Sequence, residues 1–298
     1  MSDAGARSET SRPAVPLLEL CQVWKIFRMG GLIHHRETVA LRDFSVTIDA
    51  SRPTVVAIVG ESGSGKSTMA NILLGLEPPT RGHVLYQGKD LWRCSRAEWR
   101  AFRRDVQAIF QDPFGVFNPF YPVDHALAMP IAKFRLARTR DEARLIMEEA
   151  LRAVGLKPEE TLGRYPHQLS GGQRQRTMVA RTLILRPKVI VADEPVSMID
   201  ASLRVTVLAN LLQLKQHHGI SLVYITHDLA TAFQLSDRII VLHRGRVVED
   251  GDPEQIVKHP QHPYTQLLVS SIPRPDPEHP WDDATLDAME DWEALINV

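Results

Sequence analysis

The chain has 298 residues, 44% hydrophobic and 24% charged, an ordinary soluble composition with enough apolar residues for a large α/β core. Lys plus Arg number 35 and Asp plus Glu 36, so the formal charge of -1 gives no global attraction to nucleic acid. The two cysteines, Cys21 and Cys94, have no metal-ligand spacing and fit a reducing cytosolic compartment; Met1–Arg7 lacks the apolar core of a secretory signal, and no apolar run reaches the ~18 residues of a membrane span.

Residues 1 to about 15 are small, polar and proline-punctuated, and are expected to be disordered. Leu17–Val23 alternates as a strand, the stretch Met29–Glu37 with Gly30-Gly31 and His34-His35 reads as a hairpin connection, and Val39–Ile48 alternates again. Thr54–Val59 is an apolar, β-branched run that reads as a buried strand. Gly60-Glu61-Ser62-Gly63-Ser64-Gly65-Lys66-Ser67 follows it and fits the phosphate-loop pattern G-x-x-x-x-G-K-S/T without a mismatch. Thr68–Gly75 reads as a helix ending near a glycine. Strand, glycine loop and helix aim several backbone N–H groups and a helix N-terminus at one anion. Lys66 is then placed to reach the β/γ-phosphates and the Ser67 hydroxyl to ligate Mg²⁺.

From about residue 90 to 170 the pattern turns helical, with helices near Val123–Arg138 and Thr139–Val154. Thr139-Arg140-Asp141-Glu142 carries a capping-box pattern at the start of the second. Gln111 follows a short strand, Val106–Phe110, within reach of Mg²⁺ or a lytic water. Ser170-Gly171-Gly172-Gln173 caps a helix running over Thr177–Arg186 and forms a second anion-ready terminus. One nucleotide rarely needs two such termini, so the second is expected to serve another subunit's nucleotide.

Strands and helices alternate again beyond Lys188: Val189–Ala192, Leu203–Gln216, Ser221–Thr226, Arg238–Leu242. That rhythm predicts a parallel sheet with crossover helices, interrupted by the helical stretch. Asp193 ends an apolar strand where a carboxylate holds Mg²⁺, and Glu194 beside it suits a general base or water-positioner. His227, at the carboxyl end of Ser221–Thr226, faces the ligand crevice and is placed to hold Glu194 in line.

These motifs in this order resemble the ATP-binding cassette (ABC) ATPases over about residues 17 to 273. The resemblance implies a P-loop NTPase core with an antiparallel β subdomain and an inserted α-helical subdomain. It makes Gly60–Ser67 the Walker A loop, Gln111 the Q-loop, Leu169–Gln173 the signature, Val189–Asp193 Walker B, Glu194 the catalytic glutamate and His227 the switch histidine. It also implies an adenine-stacking aromatic at Phe27, with Trp24 as the alternative. ATP and Mg²⁺ are the implied ligands. On one side stand Phe27, Gly60, Ser62, Gly63, Ser64, Gly65, Lys66, Ser67 and Thr68; on the other stand Ser170, Gly171, Gly172, Gln173 and Asp200 of a second subunit. Ser67, Gln111 and Asp193 are the implied metal residues.

Phe110-Gln111-Asp112-Pro113, Phe117-Asn118-Pro119 and His262-Pro263-Tyr264-Thr265-Gln266-Leu267-Leu268 are similar to the oligopeptide/dipeptide importer branch. That branch implies an ATP-driven motor on the cytoplasmic face of a membrane, with a second ATPase (self or paralogue), two permeases and, indirectly, an extracytoplasmic solute-binding protein. A soluble ATPase acting on nucleic acid or ribosomes, or an exporter ATPase, is the alternative; the single cassette, short insertion and near-zero charge favour the importer, with no nucleic acid. The chain departs from the family at Ser197-Met198-Ile199-Asp200, where Ser-Ala-Leu-Asp is usual, and Val196 replaces a usual Thr. It also lacks the cysteine cluster that many branch members carry late in the chain. Instead, Asp276–Val298 holds eight acids and no Lys or Arg, with Leu286, Met289, Trp292, Leu295 and Ile296 at the spacing of a short amphipathic helix.

Overall fold

The computed structural model describes residues 15–29, 36–49, 52–110, 117–197 and 201–272. Gln111, Asp200 and the acidic tail therefore lie outside the described residues, as does the N-terminal stretch 1–14.

Two long antiparallel strands come first, β1 (Leu18–Met29) and β2 (Arg36–Ile48), in register from Leu18↔Ile48 to Met29↔Arg36. β1 continues well past Val23, where the alternation expected from the sequence ends. Its register against β2 shifts between Leu20 and Val23, again before Lys25 and again before Ile26, and Gln22 takes a φ of 48°. The first shift puts an extra residue into β1, so the buried positions change parity from Leu18 and Leu20 to Val23 and Lys25, and the period-2 pattern fails while the strand persists.

β3 (Val55–Val59) leads through Gly60–Gly65 into α1 (Lys66–Leu73). β4 (Arg81–Tyr86) and β5 (Lys89–Asp90) extend the first sheet to the order β2-β1-β4-β5. Next come α2 (Arg96–Asp105), β6 (Val106–Ile109), α3 (Val123–Phe134), α4 (Arg140–Ala153), α5 (Pro158–Thr161) and α6 (Gly171–Leu183). The chain closes the fold with β7 (Val189–Asp193), α7 (Ala201–His218), β8 (Ser221–Thr226), α8 (Leu229–Leu235), β9 (Arg238–His243), β10 (Arg246–Gly251), α9 (Pro253–Lys258) and α10 (Pro263–Ser270).

The second sheet has the order β10-β9-β3-β8-β7-β6. Neighbours from β9 to β6 run parallel, and β10 is an antiparallel edge on β9. Every residue of β3 and β8 is buried, which explains the unbroken apolar sequence of β3 and the Leu222–Ile225 run of β8 between Ser221 and Thr226. Alternate side chains divide between two cores. Val55, Ala57 and Val59 pack with Leu127, Leu151, Met178 and Leu211 of the helices. Val56 and Ile58 pack with Leu18, Phe44, Ile72 and Val84, so the antiparallel sheet and α1 cover the opposite face. The expected α/β fold with an antiparallel sheet and a helical stretch is thus observed.

One helix starts earlier than its apolar pattern indicated. α6 begins at Gly171, not Thr177, because Ser170 and Gln173 form a complete capping box across the two glycines. The expected box at Thr139 is present, with Thr139 Oγ1 accepting from the Glu142 N–H at 3.1 Å and Glu142 Oε2 accepting from the Thr139 N–H at 3.3 Å.

Candidate functional site

The parallel sheet brings the sequence motifs to one end. Val59 pairs with Thr226 and Asp193 with Ile225, so the loop after β3, His227 after β8 and Glu194 after β7 emerge side by side at the strands' carboxyl ends.

The phosphate loop is gripped from several sides. A Cβ at Gly60 would strike the Leu242 carbonyl oxygen of β9, and one at Gly65, whose φ is +107°, would strike the Ala40 carbonyl of β2. Only glycine satisfies both the conformation and the close approach. Gly245 donates its N–H to the Ser64 carbonyl at 2.8 Å. The Tyr264 hydroxyl accepts from the Glu61 N–H at 2.9 Å. Ser62, Gly63 and Ser67 are exposed, Thr68 is half-buried, and Ser64 is buried. The first helical bond of α1 runs from the Met69 N–H to the Gly65 carbonyl, and no side chain caps the helix. The N–H groups of Lys66, Ser67 and Thr68 thus have no partner within the helix and form an anion-binding end.

Lys66 lies in this cradle with only 6% of its surface exposed. Its Nζ donates to the carbonyls of Gly60 at 2.5 Å and Glu61 at 2.7 Å. Burial pushes its pKa below the ordinary lysine value, opposed by the negative charges of Glu194, Asp193 and Glu61. The Asp193 carboxyl is held above its usual range, first by burial and then by Glu194, against the pull of Lys66. One ammonium thus faces two crowded carboxylates in a poorly solvated site, an arrangement that a phosphate chain with a divalent cation would complete.

Glu194 takes a φ of 45°, a left-handed conformation uncommon for a side-chain-bearing residue. Its N–H donates to the Ile225 carbonyl at 2.9 Å, and its own carbonyl accepts from the Ser197 N–H at 3.2 Å and the Ser197 hydroxyl at 3.0 Å. These bonds hold the turn that aims the carboxylate. Glu194 Oε1 lies 3.2 Å from Nδ1 of His227. Asp228, the residue after His227, caps α8 by accepting from the Ala230 N–H at 2.9 Å.

Ser170 is exposed, and the position a Cβ would take on Gly171 is open space. Ser170 Oγ accepts from the Gln173 N–H at 3.2 Å, while Gln173 Oε1 accepts from the Ser170 N–H at 2.9 Å. The Gln173 carboxamide oxygen thus serves the cap. Gly172 is buried. Gln175 was not singled out from the sequence, yet its buried Nε2 donates to the Pro195 carbonyl at 3.0 Å and ties α6 to the turn after Glu194. Phe27 and Trp24 are both half-buried on β1, and Lys25 Nζ stands 5.1 Å from the Phe27 ring centre.

Among the described residues no group of three or more His, Cys, Asp and Glu is placed to hold a metal ion. The fit for Mg²⁺ rests on hard oxygen donors instead: the exposed Ser67 hydroxyl at the head of α1 and the crowded Asp193 carboxylate ending β7, which packs against α1.

Comparison with known proteins gives concordant matches. The model of the ABC transporter family matches residues 41–197, and that of the oligopeptide/dipeptide transporter C-terminal region matches residues 248–294. The chain is 43% identical over 233 residues to the oligopeptide transport ATP-binding protein OppF of Escherichia coli (strain K12), covering 78% of this chain and 70% of that protein. It is 41% identical over 264 residues to the dipeptide transport ATP-binding protein DppF of the same organism, covering 88% and 78%. Among solved structures, a dimeric post-hydrolysis state of the ATP-binding cassette MJ0796 bound to ADP and Pi superposes with a TM-score of 0.68 at 32% identity, covering 79% of this chain and 98% of that one.

Proposed function

The chain belongs to the ABC transporter family, and from that premise we propose that it is the ATP-hydrolysing motor subunit of a peptide importer. One observation carries the reading: Lys66 buried in its loop, influenced by Asp193 and Glu194, with His227 3.2 Å from Glu194. The amides opening α1 and the Lys66 ammonium hold the β/γ-phosphates. Lys66 exchanges its two carbonyl partners for phosphoryl oxygens, and an anionic ligand offsets the burial of its charge. Ser67 and Asp193, with Gln111, are the residues to hold Mg²⁺, which when bound neutralises charge on the phosphoryl oxygens. Glu194 accepts the proton of a water attacking in line, and His227 keeps its carboxylate oriented.

Ser170 and the Gly172 N–H of a second subunit cap the γ-phosphate. The Ser170 oxygen already accepts from Gln173, so its hydroxyl proton is the group left to donate outward. The open space at Gly171 permits the close approach that this requires. Phe27 or Trp24 stacks on the adenine, and Asp200 contributes at the shared seam. The second ATPase is a copy of this chain or a paralogue.

A groove of ≈ 680 Å³ between α2, α3 and α6 is the permease-docking surface in this reading. Trp99, Phe117 and Met129 line it with apolar surface, and Arg96, Arg103 and Lys133 give it basic character. The complementary partner is an amphipathic permease segment carrying carboxylates. No helix among the described residues is long and apolar enough to cross a membrane, so docking on permeases is the route to the cytoplasmic face of the membrane. Peptides are the proposed solute because the relatives are named for oligopeptide and dipeptide transport. An extracytoplasmic binding protein would deliver them.

Replacing Glu194 by Gln tests the assignment. ATP binding is expected to survive while turnover falls by about 10²–10⁴-fold. Unchanged turnover rules Glu194 out as the base.

A further inference from the structure

We infer that Tyr264 is a positioning residue of the phosphate loop, so that α10 is a working part of the nucleotide site and not an appendage behind it. The inference rests on the reading of Gly60–Ser67 as a nucleotide loop. Tyr264 is completely buried. Its hydroxyl accepts from the Glu61 N–H at 2.9 Å, a contact spanning 203 residues of sequence. Burial pushes the phenol up to about 12, so the group stays neutral at ordinary pH.

The ring makes a second connection to the loop. It stacks on His243 with centroids 4.1 Å apart and planes inclined at 21°. His243 closes β9, directly after Leu242, whose carbonyl crowds Gly60. Two residues beyond His243, Gly245 donates to Ser64 at 2.8 Å and accepts from the Arg42 N–H at 2.7 Å. Tyr264 therefore touches Glu61 directly and supports the segment that holds the loop at both Gly60 and Ser64. The helix is itself anchored: His262 Nδ1 accepts from the Tyr264 N–H at 3.1 Å, Pro263 opens the first turn, and α10 packs on β10.

A residue that shapes the loop without touching phosphate acts alike on bound ATP and on the transition state, because both use the same amides. Its loss appears in affinity and leaves the chemical step intact. The decisive variant is Tyr264→Phe in the full chain, which keeps the ring and removes one oxygen. The KM for MgATP is expected to rise roughly fivefold to tenfold with kcat within about twofold. In nucleotide-free protein, amide exchange at Glu61 is expected to quicken by about tenfold. Tyr86→Phe is the control: it removes a hydroxyl that donates at 2.9 Å to Asp105 Oδ2 and not to the loop. It is expected to lower stability and leave the KM unchanged.

His243→Ala removes the stacked ring and keeps the hydroxyl, with an expected rise in KM of about threefold. Unchanged KM in both loop-side variants, unchanged Glu61 exchange in folded Tyr264→Phe, or an equal KM rise in Tyr86→Phe overturns the inference. A wild-type chain that bound no MgATP would sink the function reading instead, and Glu61 exchange would still decide whether Tyr264 anchors the loop.

Discussion

Asp193 shows how the site trades stability for charge placement. Burial and Glu194 raise its carboxyl pKa, outweighing Lys66. A carboxyl whose folded pKa is raised destabilises the fold at all pH above that value; the effect disappears below the ordinary value of 3.8, where folded and unfolded chains are both protonated. Asp193→Asn is therefore expected to raise the nucleotide-free Tm at pH 7, by about 2–4 °C per kcal/mol removed, and to lose most of that gain near pH 3.5. Thermal scans at the two pH values check this, and an equal Tm for both proteins at pH 7 contradicts it. At this scale the positions of Lys66, Asp193, Glu194, His227 and Ser170 were legible, because each sits where an apolar strand ends or a helix begins. The left-handed turn at Glu194 was not, since it depends on bonds to Ile225 and Ser197. The reach of Tyr264 was hidden too, because nothing local in His-Pro-Tyr says which distant loop it meets.

Elements were legible where a start signal and an apolar stripe agreed. α4 has both, with Thr139 and Glu142 closing its box and Ala150 and Leu151 buried. Removing the cap by Thr139→Ala is expected to cost about 1 kcal/mol, seen as a lower Tm, with ATP turnover within about twofold of wild type. No change in Tm would contradict the box. α2 carries an equal box, Ser95 with Glu98, yet buries only Phe102 of its own residues, so its stripe was too thin to read. β4 was missed for a related reason: of Arg81–Tyr86 only Val84 and Tyr86 are buried. α6 was read too short because Gly-Gly-Gln-Arg-Gln-Arg looks unlike a helix until Ser170 caps it. Its first turn is held by the capping box, and its second is tied down by Gln175 on Pro195, not by propensity.

In the whole molecule, the parallel sheet presents the phosphate loop, Asp193, Glu194 and His227 at one end, while α6 presents an exposed Ser170. The helix starts at Lys66 and Gly171 are set by the proposal on opposite sides of a shared nucleotide. The groove between α2, α3 and α6, proposed above as the docking surface, is lined in part by the same helix that Ser170 caps. The most direct measurement is a structure of the membrane-isolated complex carrying Glu194→Gln, trapped with MgATP. The account predicts one γ-phosphate between Lys66 of one cassette and the signature serine of its neighbour, with Ser170 of this chain within hydrogen-bond distance of a phosphoryl oxygen. Ser170 facing solvent or its own protomer, remote from every nucleotide in the closed complex, would contradict it.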